Sequence, residues 1–160
     1  SDLARTHLGY LSQLALNNKD FHEWHDHDGN GRGSHSYIAS AASFLGVVIN
    51  GYFGIEFDNN SLRISPRLGN QNGLIRLELP GQNRFIRMKY SWSPKSVSIS
   101  TRGNLHNSYT LRSLLPKEFD PEDVSVDNEK VEWRIEIINQ DKYLVIESVP
   151  LKSIITISSR

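Results

Sequence analysis

The sequence predicts a mainly β protein with N-terminal helices, because its hydrophobic pattern switches to that of short strands after Gly54. Before that glycine, apolar residues recur at helical spacing. After it, short stretches of alternating apolar and polar residues are separated by residues that favour turns. We therefore expect a helical hairpin with a glycine-rich loop over residues 1–54 and an antiparallel β-sandwich domain over residues 55–160.

Two helices are predicted in the first part. One covers residues 3–16, with apolar positions 4, 8, 11 and 15 on one face. The other covers residues 37–50, and Ser34 or Ser36 is placed to cap its first turn. This second helix is apolar on nearly all sides, so we expect it to pack against more helices than the chain itself contains.

The second part predicts seven or eight short strands. Alternation is clearest in the stretch 131–137, and residues 80–83 and 127–129 have the composition of turns. The stretch from Pro116 to Pro121 is expected to be the longest irregular connection. The predicted strands are 61–66, 74–79, 84–90, 95–101, 107–112, 130–138, 143–149 and 151–158.

Composition limits the classes of function. The 160 residues carry 18 basic and 18 acidic side chains, so the formal charge is zero and neither nucleic acid nor an anionic membrane is an expected partner. The absence of cysteine excludes disulfides, thiolate zinc sites and cysteine nucleophiles, and leaves the compartment open. The chain begins with Ser1 and its one methionine is Met88, so we expect it to be part of a longer protein.

The residues that can carry chemistry are concentrated in one loop, residues 21–34. Residues 26–31 resemble the start of a calcium-binding EF-hand, since Asp26, Asp28, Asn30 and Gly31 occupy positions 1, 3, 5 and 6. Position 12 of that motif should be a bidentate acid but is Tyr37. The pattern is therefore more typical of a turn rich in Asp, Asn and Gly.

Zinc is the second alternative, since the loop region contains four histidines and Glu23. A metalloprotease helix needs two histidines four residues apart around a glutamate, and the fifth position counted from His22 is Asp26. The glycines also disfavour a helix at this point. We therefore expect no metal and no cofactor. The histidines are His22, His25, His27 and His35.

The third alternative is carbohydrate chemistry. Residues 23–33, Glu-Trp-His-Asp-His-Asp-Gly-Asn-Gly-Arg-Gly, resemble the Glu-x-Tyr/Trp-x-Asp/Asn-x-x-x-Gly-x-Gly segment of (α/α)6-barrel glycoside hydrolases such as trehalases, processing α-glucosidases and amylo-1,6-glucosidase-like enzymes. Residues 51–55 and 62–68 are similar to the Gly-x-x-Gly-Ile and Leu-x-Ile-x-Pro-x-Leu motifs that link barrel to sandwich in that family. The resemblance implies that residues 1–54 are the last helical hairpin of such a barrel.

The resemblance also implies roles for five residues in the cleavage of an α-glucosidic bond, with inversion expected. Glu23 would be the general base that activates water, and Trp24 would present an aromatic face to a sugar ring. His25, Asp26 and Arg32 would bind hydroxyl groups or hold the loop. The general acid would come from the upstream barrel part of the same protein, since Asp2 and Asp20 are poor candidates, so this chain alone is expected to be inactive.

Two other interpretations stay open. Each residue of the loop, taken singly, is also typical of a solvated turn, with Glu23 as a surface acid and Trp24 as a core aromatic. The chain could instead be a free-standing binding module, whose sandwich holds a glycan or a partner protein through Tyr90, Trp92 and Tyr109. The sequence names neither the sugar nor the linkage, and it does not distinguish hydrolysis from phosphorolysis.

Overall fold

A computed structural model describes residues 2–58 and 60–159, so Ser1 lies outside the described residues. Strand accounts for 47% of the structure and helix for 19%, which confirms the mainly β prediction. The chain divides into two compact units, Ser1–Val48 and Ile49–Arg160, which we name the helical unit and the β unit. None of the helices in the described residues is both long and apolar enough to span a membrane.

The helical unit contains two helices joined by the loop. The chain forms helix α1 (Asp2–Asn18), the two-residue strands β1 (Trp24–His25) and β2 (Gly31–Arg32), and helix α2 (Ile38–Gly46). The predicted apolar face of α1 lines a groove through Leu8, Leu11 and Ala15, while the side chain of Ala4 lies outside the described residues. No described residue of α2 is fully buried.

The start and the end of α2 differ from the prediction. The N-cap residue is Tyr37, and neither Ser34 nor Ser36 caps the helix with its side chain. Ser36 has a positive φ of 49° and its amide donates to Asp20 Oδ2 instead. At the other end, the expected continuation to Asn50 is a π-helix over Val47–Tyr52 rather than α-helix.

The β unit contains two sheets in a sandwich-like arrangement. The six-stranded sheet has the order β10-β9-β13-β7-β6-β5, and the five-stranded sheet has the order β11-β12-β8-β4-β3. The strands are β3 (Ile55–Phe57), β4 (Leu62–Ile64), β5 (Gly73–Leu79), β6 (Arg84–Ser93), β7 (Ser96–Gly103), β8 (Ser108–Leu114), β9 (Pro121–Val126), β10 (Glu129–Lys130), β11 (Arg134–Ile138), β12 (Asp141–Pro150) and β13 (Ser153–Ser159).

Both sheets bury one face, which forms the core of the β unit. Alternate residues of β6 and β7, among them Ile86, Met88 and Ile99, are fully buried, as is Leu111 of β8. Thr101 Oγ1 and the Tyr109 hydroxyl, one from each sheet, lie 3.3 Å apart inside this core.

Three strand predictions need correction. The sheet is not wholly antiparallel, because β4 pairs in parallel with β8. Strands β9 and β10 follow the irregular stretch 116–120 and were missed, although the turn at Asp127 and Asn128 between them was predicted. Strand β11 begins at Arg134 rather than residue 130, so Trp133 precedes it.

Strand β11 is the outer strand of the five-stranded sheet and pairs with β12 alone. The alternation in its sequence predicted a strand here. Its isoleucines are only partly covered, since Ile135, Ile137 and Ile138 expose 37%, 62% and 39% of their surface.

The junction motif Gly-Ile…Pro-x-Leu is a compact part of the β unit. Gly54 has φ +66°, and a Cβ at this position would lie 1.9 Å from the Ser65 carbonyl oxygen, so only glycine fits. The Ser65 amide donates to the Gly54 carbonyl at 2.7 Å, and the Arg67 guanidinium donates to the carbonyls of Asn50 and Gly51 in the π-helix.

Candidate functional site

The loop is attached to the end of α1 by one side chain, Asn18. Its amide nitrogen donates to the carbonyls of Leu14 (2.9 Å) and Gly29 (3.1 Å), and its amide oxygen accepts from the Gly31 N–H at 2.8 Å. An asparagine at this position can serve both ends of the turn because its amide carries donors and an acceptor. The returning half of the loop is thereby fixed to the helix.

Asp26 organises the turn itself. Its Oδ1 accepts from the amides of Asp28 (3.1 Å) and Asn30 (2.9 Å), and its Oδ2 lies 2.9 Å from Nη2 of Arg32. The Asn30 backbone hydrogen bond, followed by the Arg32 contact, holds the pKa of Asp26 below its ordinary value. Asp26 and Arg32 therefore both hold the loop, which is one of the two roles expected for them.

The short ladder between β1 and β2 positions Glu23 and Trp24. Trp24 pairs with Arg32 across the ladder, and its side chain is 55% exposed. Glu23 Oε2 accepts from the amide and the hydroxyl of Ser34 at 3.3 and 3.4 Å, both long. Among the side chains that the structure describes, no basic group forms an ion pair with Glu23.

Gly33 allows Glu23 and Trp24 to lie close to the returning chain. A Cβ at Gly33 would lie 2.7 Å from Glu23 Oε2 and 3.1 Å from Trp24 Nε1, and the residue has φ +73°. Any other residue here would push against the two side chains and adopt a strained backbone. Close contacts within the loop therefore explain why the second glycine of the Gly-x-Gly pair, Gly33, cannot carry a side chain.

Glu23 and Trp24 line a groove in the helical unit with a volume of about 590 Å³. Its lining is mostly apolar, and its polar side chains come from the loop and from both helices, a combination typical of small-molecule sites. Beyond the predicted residues Glu23, Trp24 and His25, the groove is lined by His7, Leu8, Leu11, Ala15, Asp20, Phe21, His22, Ser40, Ser43, Phe44 and Val47.

The sequence analysis did not single out His7 and Asp20 for this groove. His7 lies one helical turn before Leu11, so the i, i+4 spacing along α1 was a signal for it. No spacing in the sequence indicated Asp20, because it lies in the loop after α1 and not on the helix. Amides donate to both of its oxygens, Phe21 N–H to Oδ1 and Ser36 N–H to Oδ2, each at 2.8 Å.

Asp20 is also held in its charged form. The Ser36 backbone hydrogen bond is the largest cause that keeps its pKa below the ordinary value, against an opposing effect of desolvation. A general acid needs a raised pKa in order to hold a proton at neutral pH. Asp20 therefore does not fit the role of proton donor.

Two of the residues proposed for a sandwich binding surface lie inside the core. Tyr90 is fully buried and donates from its hydroxyl to the Gly69 carbonyl at 2.8 Å, and Tyr109 is 2% exposed. Burial raises the pKa of Tyr109 to about 12. Trp92 is partly buried and its Nε1 is enclosed, so none of the three presents an open aromatic face.

The β unit has a groove of its own, of about 720 Å³, beside the start of β11. Trp133, which is partly buried, lines it together with Glu132 and Arg134. Its remaining lining comes from the turn after β9, from β10 and from β12. A binding surface on the sandwich would thus lie here rather than at Tyr90 and Tyr109.

Comparisons with protein-family models, with curated proteins and with solved structures found no match for this chain. A functional assignment therefore depends on the residues of the groove and on their geometry.

Proposed function

We propose that the loop of the helical unit is part of the active site of a glycoside hydrolase that cleaves α-glucosidic bonds with inversion. Glu23 acts as the general base that takes a proton from the attacking water. Trp24 stacks against a sugar ring, and His25 donates a hydrogen bond to a hydroxyl group. Asp26 and Arg32 hold the loop in the shape that presents these side chains.

One observation carries this proposal. A glutamate without an ion-pair partner in the described residues and a half-exposed tryptophan line one groove with a mostly apolar lining. Sugar rings present C–H groups to aromatic faces and hydroxyl groups to polar side chains, so this combination suits a carbohydrate. The resemblance of residues 21–68 to the end of an (α/α)6 barrel points to the same chemistry.

We further propose that α1 and α2 are the last hairpin of such a barrel, and that the upstream barrel part of the same protein is their partner. Exposed apolar side chains support this, since Leu3, Leu16 and Ile38 expose 72%, 70% and 81% of their surface. The proton donor then comes from that upstream part, about 6.5–9.5 Å from Glu23 as in other inverting enzymes.

The test is the variant Glu23→Gln in the complete natural protein, assayed on a panel of α-glucosides with the anomer of the product followed by NMR. We expect kcat to fall about 10²–10⁴-fold, as for loss of a general base, with little change in sugar binding. Asp28→Asn is the matched control, because Asp28 is an exposed acid of the same loop. Full activity of Glu23→Gln would refute the assignment.

The groove beside Trp133 supports a second candidate function, a carbohydrate- or protein-binding β-sandwich module without catalytic activity. Its volume of about 720 Å³ is sufficient for a small ligand. Trp133→Ala should then weaken glycan binding at least about tenfold while Trp24→Ala leaves it unchanged, as measured by calorimetry. The reverse result would support the groove of the helical unit.

A further inference from the structure

Three residues with metal-ligating side chains come together where the two ends of the loop meet. Asp20 and His22 follow α1, and His35 precedes α2. One ligand atom from each lies within 4.8 Å of the other two. Two contacts close the loop at this point, the Ser36 amide to Asp20 and the Tyr37 amide to the Phe21 carbonyl at 2.7 Å.

His22 is the unusual member of this cluster. It is only 7% exposed, and its Nδ1 is enclosed without a hydrogen-bond partner among the described residues. Gly31 makes room for the ring, since a Cβ there would lie 2.0 Å from it. Buried polar atoms of native proteins are nearly always paired, so an enclosed imidazole beside two further ligating groups indicates a partner such as an ion.

The distances within the cluster are close to those of a metal site. His35 Nδ1 lies 3.6 Å from Asp20 Oδ2, and the rings of His22 and His35 have centroids 4.7 Å apart. Ligand atoms bound tetrahedrally to zinc at about 2.0–2.1 Å lie about 3.4 Å from each other. Small side-chain rotations therefore suffice to bring the three groups onto one ion.

The carboxylate is already oriented by the backbone. The amides of Phe21 and Ser36 fix the two oxygens of Asp20, as partners of metal ligands do in known sites. A simple ion pair between Asp20 and His35 accounts for those two residues, but it leaves the buried His22 unexplained.

We propose that Asp20, His22 and His35 bind a divalent transition-metal ion, zinc before others, with a fourth position left to water or a ligand. Two imidazoles and one carboxylate suit zinc and disfavour calcium and magnesium, which take oxygen ligands. This ion joins the two ends of the loop and thereby fixes the segment that carries Glu23. The inference does not depend on what the groove binds.

Zinc titration by calorimetry tests the proposal on purified protein that has been stripped with a chelator. We expect one zinc ion per chain, and at least about tenfold weaker binding in His35→Ala and in Asp20→Asn. His35 is the first choice because its side chain is 82% exposed and its loss should not unfold the loop. His27→Ala is the matched control, an 89% exposed histidine of the same loop outside the cluster.

Cobalt(II) gives a second measurement that does not involve activity. Bound in the site, it should give the intense visible absorption of a four-coordinate ion in the wild type and in His27→Ala, but not in His35→Ala. Zinc binding that is absent, or that His35→Ala and His27→Ala weaken equally, would overturn the proposal, because surface histidines alone would then bind the metal.

Discussion

The two units of the chain differ in how well each buries its own apolar side chains. The β unit encloses a continuous core, with Ile99, Leu111 and Ile155 at 0% exposure. In the helical unit, Leu14 at 7% exposure is the one apolar side chain among the described residues that is classed as buried. The groove with Glu23 nevertheless lies in the helical unit.

Hydrophobic stabilisation and the candidate site therefore lie in different parts of the chain. The sandwich provides its own hydrophobic stabilisation, whereas the helical unit has large apolar side chains that remain in water. Elements with few buried contacts open with low free energy. The geometry of the groove therefore depends on the hydrogen bonds of the loop and, in the function we propose, on the barrel that covers the helices.

The largest effect is expected when isoleucine is replaced by alanine in each unit and the losses of stability are compared. Ile99→Ala should lower the free energy of unfolding of the β unit by about 2–5 kcal/mol, because it leaves a cavity in a closed core. Ile38→Ala, at a side chain 81% exposed, should change stability by less than about 0.5 kcal/mol. Urea unfolding measures both, and equal effects would remove the contrast between the units.

Replacement of a glycine by alanine should change the free energy of unfolding in opposite directions in the two units. Gly54→Ala should destabilise the β unit by about 2 kcal/mol or more, because a Cβ meets the Ser65 carbonyl at 1.9 Å and φ is positive. Gly46→Ala should stabilise α2 by about 0.5–1 kcal/mol, since the added carbon meets nothing within 4 Å beyond its own stretch of helix backbone. Thermal unfolding followed by circular dichroism tests the pair.

The attachment of the loop to α1 can be tested at Asn18. Asn18→Ala removes three hydrogen bonds and should cost about 1–2 kcal/mol locally. Amide hydrogen exchange should become faster at Gly31 and stay unchanged in the β unit. Asn17→Ala is the control, because that side chain is exposed and accepts a hydrogen bond from Gln13 of its own helix rather than from the loop. Unchanged exchange at Gly31 would show that Asn18 does not hold the loop.

The smallest effect concerns pH. The pKa of Asp26 is lowered in the folded state from its ordinary 3.8, so the carboxylate stabilises the loop above that pH. The contribution is lost as the pH falls through the lowered folded value. The protection factor of the Asn30 amide, which corrects the exchange rate for its intrinsic pH dependence, should therefore decrease below about pH 4 in the wild type. In Asp26→Ala, which removes the acceptor of the Asn30 amide, the protection factor should be low at every pH, whereas Asp28→Asn should follow the wild type.

The sequence alone was sufficient to predict those helices and strands that have a strong local hydrophobic pattern. Strand β6, predicted as 84–90 and observed as Arg84–Ser93, has apolar residues at alternate positions. Strand β9 has only two apolar residues, Val124 and Val126, and it pairs with β13 over a long range that the local sequence does not show. Its pairing with β10 is local, and the predicted turn at Asp127 and Asn128 was a signal for it. The π-helix after Gly46 had no local signal.

Part of the candidate site could be predicted for the same reason. Glu23, Trp24 and His25 are consecutive, so the loop that carries one carries all three. Asp20 and His35 are separated by 15 positions and meet only because the loop closes through Ser36, whose φ of 49° no propensity predicts. The expected helix cap at Ser36 was wrong for that reason.

The exposed outer strand β11 has a consequence for handling the protein. An unpaired strand edge with large apolar side chains can add a strand from another molecule, which is a route to aggregation. Arg134 and Glu136 interrupt the isoleucines, and both form ion pairs, Arg134 with Glu147 at 3.0 Å and Glu136 with Arg112 at 3.1 Å. Charged side chains on an edge strand disfavour pairing with another chain, so these two residues counteract aggregation through β11.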